Sequence, residues 1–263
     1  MALLGLAASG PRARADGSDA GKGPWRVVRS DGGIMVLDRT VPGTKLREFQ
    51  GTGVIEASIA TILAVLQDTA HNPEWMKEAM TQVAIASEGN SEIFYNRTKS
   101  PWPVADRDVV MRATVGFDLT ARMLRIDFES TTHPQWPPIP KVVRMPFLRG
   151  HWYLWPLNDG KWTRAEYQVH ADPGGSLPGW VVNLASKQIP YGTISALQKQ
   201  VLRRRYPEFE AKLTATPEYQ AILQPPAAGA VASGPAAPGS LVPVPLSTDS
   251  PELRDSRTQA GYK

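Results

Sequence analysis

The sequence predicts an α+β domain in which a meandering antiparallel sheet carries one long helix across one face. Runs of alternating apolar and polar residues, separated by turn segments such as SDGG, EGNS and NDG, predict the strands. Two helical stretches interrupt them. The resulting order is three strands, a helical pair, about six strands and a closing helix. A curved sheet that grips a long helix commonly leaves a cavity between the two.

The strands are predicted from a period of two in hydrophobicity. Every second residue from Val109 to Phe117 is apolar in VVMRATVGF, and the same alternation runs through MLRIDFES and KWTRAEYQVHA. Each strand therefore has one face for the core and one for solvent. The remaining predicted strands are Trp25–Asp31, Ile34–Thr40, Arg47–Glu56, Gln82–Ser87, Glu92–Lys99 and Gly150–Leu157.

The helices are predicted from apolar stripes and end signals. In SIATILAVLQD, Ser58 is suited to cap a helix whose apolar stripe begins at Ile59. A short turn, HNPEWMKEAM, follows it. The second helix runs from Leu177 to about Arg203, with a proline in its first turn. Pro190 is expected to kink this helix because it removes a backbone donor.

The chain is organised around a single domain, residues 24–224. Residues 1–23 hold a short apolar run followed by Ala13-Arg14-Ala15, which resembles a truncated signal peptide without its cationic start. If that interpretation holds, the protein is periplasmic or secreted, and otherwise it is cytoplasmic. Residues 225–263 are rich in Pro, Ala, Gly and Ser, and we expect them to be disordered.

Composition excludes several classes of function. The 263 residues contain no cysteine, so the chain has no disulfide framework and no thiolate chemistry. No apolar run is long enough for a transmembrane helix. A net charge of +4 is weak evidence for nucleic acid binding, and the basic run RRRY lies where a helix would end.

The sequence contains no recognisable catalytic or metal-binding motif. Its four histidines show neither helical metal spacing nor an HExxH pattern, and no P-loop or GxGxxG occurs. His170 falls on the polar face of its strand and is expected to be exposed. His151, which precedes the aromatic run WYLW, is expected to be packed or hydrogen-bonded. We therefore expect a protein that is not an enzyme and that holds no cofactor and no metal.

Four segments, in order along the chain, resemble the START (StAR-related lipid transfer) domains. They are EWMKEAM, SPWPVADRDVVMRATV, MPFLRGHWYLWPL and WTRAEYQVHADPGGSLPGWVVNLA, and the resemblance covers roughly Trp25 to Arg205. It implies a helix-grip fold, in which a curved sheet, the C-terminal helix and two omega loops enclose a tunnel. It further implies a monomer that binds one sterol or phospholipid and carries it between membranes through transient membrane contact.

The resemblance also implies where the lipid lies. The arginine of the RD motif, Arg107, would point into the cavity and pair with Glu92, with Glu88 as the second choice. The alternative is a structural ion pair of Arg107 with Asp106 or Asp108. Further lipid-binding candidates are Arg112 on the same strand and Val181, Leu184, Gln188 and Tyr191 on the final helix, while Asn183 there is expected to be structural.

Two tryptophan–proline loops would flank the opening. Trp102 lies in the predicted first omega loop, Lys99–Asp106, and Trp136 in the second, Thr131–Lys141. Each tryptophan suits either a packed lid or an anchor at a membrane interface.

Two other classes of function stay open from the sequence. A helix-grip enzyme of the polyketide cyclase or aromatase kind would share the architecture but place acid–base residues in the cavity. A lipid-sensing interaction module would use the C-terminal tail to recruit a partner.

Overall fold

The chain folds as one large antiparallel sheet accompanied by four α-helices within the residues described here. The computed structural model describes residue 19 and residues 21–76, 79–177, 179–203, 205–224 and 241–244, with the side chains of 179–187 left out. The strands are β1 (Arg26–Asp31), β2 (Ile34–Thr40), β3 (Arg47–Ile55), β4 (Ala79–Glu88), β5 (Ser91–Thr98), β6 (Asp106–Asp118), β7 (Met123–Thr131), β8 (Val142–Arg144), β9 (Phe147–Leu157), β10 (Trp162–Asp172) and β11 (Val242–Pro243). The helices are α1 (Ile59–Gln67), α2 (Gly179–Gln200), α3 (Pro207–Thr214) and α4 (Pro217–Leu223), and a 3₁₀ helix spans Thr69–Glu74.

The sheet follows the order β1-β2-β3-β10-β9-β7-β6-β5-β4. Every neighbouring pair along this path is antiparallel. The two short strands β8 and β11 lie off the path and pair with β6, β8 in parallel and β11 antiparallel. This architecture is the predicted α+β helix-grip fold. In the part of the chain that the structure describes, no helix is long and apolar enough to span a membrane.

One face of the sheet, which we name the inner face, packs against the helices. It carries Val115 of β6, Ile126 of β7 and Trp152 of β9, which are register partners and belong to one buried cluster. The predicted alternation on β6, β7 and β10 is confirmed, because the apolar residues of each strand contribute to this face. The opposite face is named the outer face.

Helix α2 packs closely on β3 because two glycines face it. A Cβ at Gly51 would lie 2.9 Å from Ile194 Cδ1 and 3.0 Å from Pro190 Cβ, and one at Gly53 would lie 3.2 Å from Ile194 Cγ2. Since glycine has no side chain, the helix approaches the sheet to this distance. The buried stripe of α2 includes Pro190, Ile194 and Leu197, and the buried Val201 follows directly after the helix end.

Helix α1 begins as predicted. The Ser58 hydroxyl accepts a hydrogen bond from the Thr61 amide at 3.1 Å, which satisfies one of the free donors at the helix start. Burial extends beyond the predicted stripe, because all residues from Ile59 to Val65 are buried. The helix therefore lies inside the core and not on its surface.

The structure differs from the sequence prediction in the tail. Residues 225–263 were expected to be disordered, yet Val242 and Pro243 form β11 on β6, and the flanking Leu241 and Val244 are buried. Val244 belongs to the same buried cluster as Val115 and Phe117. The other predicted features of residues 1–18, 225–240 and 245–263 lie outside the described residues.

Candidate functional site

The centre of the inner face carries a row of aromatic side chains. Tyr167 of β10 stacks on Trp152 of β9 with ring centroids 4.5 Å apart, and on Phe128 of β7 at 6.1 Å. Gly150 makes room for Phe128, since a Cβ at Gly150 would lie 2.5 Å from Phe128 Cζ. The row forms a flat apolar floor beneath the helices.

Tyr167 is the central ring of this row. Burial raises the pKa of its phenol to about 12, so protein atoms surround the side chain. Tyr167 and Phe128 nevertheless keep accessible surface, since both are only half-buried. The side chains of 179–187, at the start of α2, lie outside the described residues.

Glu92 lies on the same inner face, on β5. It pairs in register with Ala113 of β6, which in turn pairs with Phe128. The side chain is 7% exposed, and burial raises the pKa of its carboxyl to about 7. Its register partners are Ala113 of β6 and Ser87 of β4, and neither brings a charge.

Arg107 lies at the beginning of β6, at one end of the inner face. Its guanidinium donates hydrogen bonds to the Ala105 carbonyl (2.5 Å), the Ser100 hydroxyl (3.3 Å) and the carbonyls of Pro173 and Gly174 (both 3.4 Å). It therefore joins the loop before β6 to the turn that precedes α2. Burial lowers the pKa of Arg107, and the nearby charge of Asp106 raises it.

The predicted ion pair between Arg107 and Glu92 is wrong. Arg107 pairs in register with Thr98, six residues along β5 from Glu92, which places the two side chains about 20 Å apart. The alternative pairs are absent too: Asp106 binds Arg97 and Asp108 binds Arg144. The sequence did not predict that Arg107 donates to backbone carbonyls of the turn before α2, because a backbone carbonyl cannot be recognised from the side-chain pattern.

Arg112 does not reach the inner face. Its side chain points to the outer face and binds the Glu88 carboxylate at 2.7 Å, where both groups are largely exposed. The period of two explains the outcome, because an even-numbered residue of β6 lies opposite Ala113 and Val115. Glu88 is likewise no partner for Arg107.

The predicted tunnel residues of α2 divide into two groups. Gln188 is exposed, and Tyr191 packs under the Arg29 guanidinium, 3.2 Å from its ring centroid, with its hydroxyl donating to Asp31 at 3.4 Å. Gln188 lies off the buried stripe of α2 that contains Pro190, so its prediction as a tunnel residue is wrong. Tyr191 is partly buried against the main buried cluster, and its predicted role stays a prediction. The side chains of Val181, Leu184 and Asn183 lie outside the described residues, and their roles stay predictions.

The two loop tryptophans are not equivalent. Trp102 is 91% exposed in the loop between β5 and β6. Trp136 is 3% exposed and stacks on Tyr95 at 4.8 Å, within a small buried cluster on the outer face of β4, β5 and β6. Trp136 is therefore a packed residue, which contradicts its prediction as a lid or membrane residue.

His170 is buried, contrary to the prediction from its polar face. It is 5% exposed, and burial lowers the pKa of its imidazole. The outer face is covered here because Lys22 binds Glu48 at 3.1 Å and Arg39 lies over the Trp25 ring.

His151 behaves as predicted. It bonds to Glu166 at 3.3 Å and stacks on Tyr153 at 3.7 Å. Across the described ranges, no group of three or more His, Asp or Glu side chains is placed to hold a metal ion.

Comparison with known proteins gives the same family from sequence and from structure. The family model "START domain" matches residues 36–216. An uncharacterized protein of Pseudomonas aeruginosa is 30% identical over 181 residues, which is 68% of this chain and 88% of that protein. The phosphatidylcholine transfer protein of Bos taurus is 26% identical over 167 residues, 62% of this chain and 77% of its own.

Solved structures show the same architecture. The STAR-related lipid transfer protein of Xanthomonas axonopodis (fragment 25–204) superposes with a TM-score of 0.61 at 31% identity, covering 68% of this chain and 99% of that one. Human STARD10 superposes with a TM-score of 0.61 at 24% identity, covering 72% and 76%. With a family model that spans most of the folded region and this agreement in fold, the chain belongs to the START domain family.

Proposed function

We propose that this protein binds one lipid molecule between the inner face of the sheet and the first half of α2, and carries it between membranes. The observation that carries the proposal is the aromatic floor of the inner face, on which Tyr167 and Phe128 stack and keep accessible surface. The names of the bovine phosphatidylcholine transfer protein and the Xanthomonas lipid transfer protein support the same class of ligand.

The physical basis is the removal of hydrocarbon from water. Burying apolar surface stabilises by about 25 cal/mol per Å², so a lipid chain gains several kcal/mol on entering an apolar cavity. The floor of Trp152, Phe128 and Tyr167 offers flat apolar surface for this contact. Water that the lipid displaces from such a surface makes few hydrogen bonds there.

The end of the sheet near Arg107 is the proposed entrance. Arg107 ties two loops together there through backbone carbonyls, and the exposed Trp102 lies in one of these loops. Tryptophan partitions to the interface between membrane and water, so Trp102 is placed to contact a bilayer while the loops separate.

Lipid binding without catalysis fits the inner face better than an enzyme of the cyclase kind. Around the aromatic floor, the described strands carry no histidine, and the Glu92 carboxyl has no charged neighbour that shifts its pKa. General acid–base catalysis requires positioned groups that give and take protons.

The test is identification of the ligand in protein purified from its native cells. Extraction followed by mass spectrometry is expected to show about one lipid per chain, and liposomes are expected to exchange it. Protein that yields no lipid and takes up none from liposomes of varied composition would contradict the proposal.

A further inference from the structure

One corner of the outer face is covered by a segment that precedes β1. This segment, which we name the N-terminal strap, comprises residues 19 and 21–25. Lys22 of the strap binds the Glu48 carboxylate of β3 at 3.1 Å, and the Trp25 ring lies under the Arg39 guanidinium of β2, 4.2 Å from the ring centroid. The strap is therefore attached to the sheet largely through charged side chains.

Glu48 is the buried anchor of the strap. Its side chain is 3% exposed, and each of its oxygens already accepts a hydrogen bond. Oε1 accepts from Lys22 at 3.2 Å and from Gln168 of β10 at 3.1 Å, and Oε2 accepts from Arg39 at 2.5 Å. Lys22 is the one donor of these three that does not belong to the sheet.

His170 lies directly beside this carboxylate. It is the register partner of Glu48, so the Cβ atoms of the two residues are about 5 Å apart on the same face. His170 is 5% exposed, and neither ring nitrogen has a hydrogen-bond partner among the described residues. A neutral imidazole carries one N–H donor, whereas a protonated one carries two and a charge. Protonation therefore requires an acceptor that His170 lacks while Lys22 occupies Glu48.

The charges around His170 also favour its neutral form. Three cations influence it from three elements: Arg149 of β9, Arg39 of β2 and Lys22 of the strap. Burial lowers the pKa of His170 from its ordinary value of 6.5, Glu48 raises it, and the three cations lower it further. The other acid of the cluster, Asp19, is already bound by Arg39 and Lys22.

We propose that the N-terminal strap is an acid-sensitive cover, released when His170 takes up a proton and replaces Lys22 on the Glu48 carboxylate. At neutral pH the imidazole is uncharged and Lys22 holds the strap in place. In acid the imidazolium, which is fixed in β10, binds Glu48, and the strap loses its anchor. The turn that follows β10 contains Pro173, whose carbonyl accepts from Arg107, so the strap covers the same end of the sheet.

The pH range follows from the two states of the strap. With the strap in place the pKa of His170 lies below 6.5, and with the strap released it is at least 6.5, because Glu48 is then free to accept. Attachment is therefore strongest above this range and weakens as pH falls through it. Uptake of one proton limits the change to about tenfold per pH unit.

Hydrogen exchange in the full-length protein measures this release. The Gly23 amide donates to the Thr40 carbonyl of β2 at 3.0 Å, so its protection factor reports whether the strap is in place. After correction for the intrinsic effect of pH on exchange, we expect this factor to fall by roughly tenfold between pH 7.5 and 5.0. The Val36 amide, inside the sheet on β2, is expected to lose no protection.

Three variants separate the roles of the groups. His170→Gln cannot gain the charge, so the protection of Gly23 is expected not to depend on pH in this range. Lys22→Met removes the anchor, so Gly23 is expected to be poorly protected at both pH values, and the pKa of His170 measured by NMR rises to 6.5 or above because Glu48 is free. His151→Gln, at another histidine of the outer face, is the matched control and keeps the wild-type pH dependence.

Each contrary result overturns the proposal. Protection of Gly23 that is equal at the two pH values in the wild type, or a fall that persists in His170→Gln, would show that His170 does not control the strap. An unchanged His170 pKa in Lys22→Met would show that the two cations do not compete for Glu48. Circular dichroism establishes that each variant is folded. If His170→Gln does not fold, the wild-type titration decides, since a His170 pKa of 6.5 or above excludes a strap that favours the neutral ring.

Discussion

Two residues of the inner face, Tyr167 and Glu92, respond to the same environment in related ways. Burial disfavours the phenolate of Tyr167 and the carboxylate of Glu92, so both pKa values rise. The phenol stays neutral over the physiological range, whereas the carboxyl titrates near neutrality. Glu92 is therefore the residue of this pair whose charge responds to physiological pH.

This shift makes a prediction for stability. The pKa of Glu92 rises from 4.5 in an exposed chain to about 7 in the folded protein, so the folded state holds the proton more tightly. Stability then falls as pH rises from 4.5 to 7 and is constant above that range. The full loss is about 3 kcal/mol. The neighbours Ser87, Ala113 and Phe94 bring no opposing charge.

Glu92→Gln lacks this ionisation, so its unfolding free energy relative to wild type is expected to increase by about 2 kcal/mol between pH 5 and pH 8. Urea denaturation at both pH values, in the absence of lipid, measures the difference. Glu88→Gln serves as the control, because its carboxylate is exposed. Parallel pH profiles of the wild type and Glu92→Gln would show that Glu92 is not a buried, unpaired acid.

Residue-level prediction from the sequence succeeded for faces and failed for partners. The period of two placed Ala113, Val115 and Phe117 on the inner face, because alternation is a local property of a strand. The partner of Arg107 depends on register between strands and on the backbone of a turn 66 residues away. The sequence around Arg107 contains no pattern that indicates the register or the turn. The predicted ion pair with Glu92 was therefore wrong.

At the scale of elements, strands and helices with strong periodicity were predicted well. The predicted strand Ile34–Thr40 is found unchanged, and the predicted helix from Leu177 to Arg203 is found as α2. The short helices α3 and α4 were missed, since segments of seven or eight residues show too little periodicity. Their burial comes from contact with the rest of the core, as at Tyr219 against Phe117.

The loop between β5 and β6 makes a prediction at this scale. Trp102 is 91% exposed and contributes little to the packed core, so Trp102→Ala is expected to leave thermal stability unchanged. If this loop contacts the bilayer, loss of the indole weakens vesicle binding by about tenfold and slows lipid transfer. Co-sedimentation with vesicles and a fluorescent transfer assay measure the two effects.

Trp162→Ala is the matched control. Trp162 is also an exposed tryptophan, but it lies at the start of β10, at the opposite end of that strand from the turn that Arg107 contacts. We expect vesicle binding of this variant to equal that of the wild type. Equal loss in both variants would indicate a general effect of removing an exposed indole, and no loss in either would contradict membrane contact through Trp102.

At the scale of the whole molecule, segments outside the predicted strands complete the fold. Lys22 covers the outer face of β3 through Glu48, which explains why the polar face near His170 is buried. Strand β11 pairs with Gly116 and Phe117 of β6, beyond Thr114, the partner of Ser91 at the start of β5. The amino-acid composition of a segment indicates whether that segment can fold alone. It does not indicate whether the segment can pair with the edge of a sheet that is already formed.

The pairing of β11 leads to the last prediction. Leu241 and Val244 are buried against the core, and Gly116 leaves room for them, since a Cβ there would lie 2.7 Å from Leu241 Cβ. Burial of two aliphatic side chains contributes a few kcal/mol, and ordering of four residues offsets part of it. We therefore expect a chain that ends at residue 224 to be less stable than the full chain by about 2 kcal/mol.

The matched control is a chain that ends at residue 244, which keeps β11 and is expected to have the stability of the full chain. Urea denaturation of the three chains, followed by tryptophan fluorescence, measures the difference. In the short chain the Val115 carbonyl loses the Val244 amide and the Phe117 amide loses the strand beside it, so hydrogen exchange at Phe117 is expected to accelerate. Equal stability and equal exchange in all three chains would show that the tail contributes nothing to the fold and that the edge of β6 is stable without it.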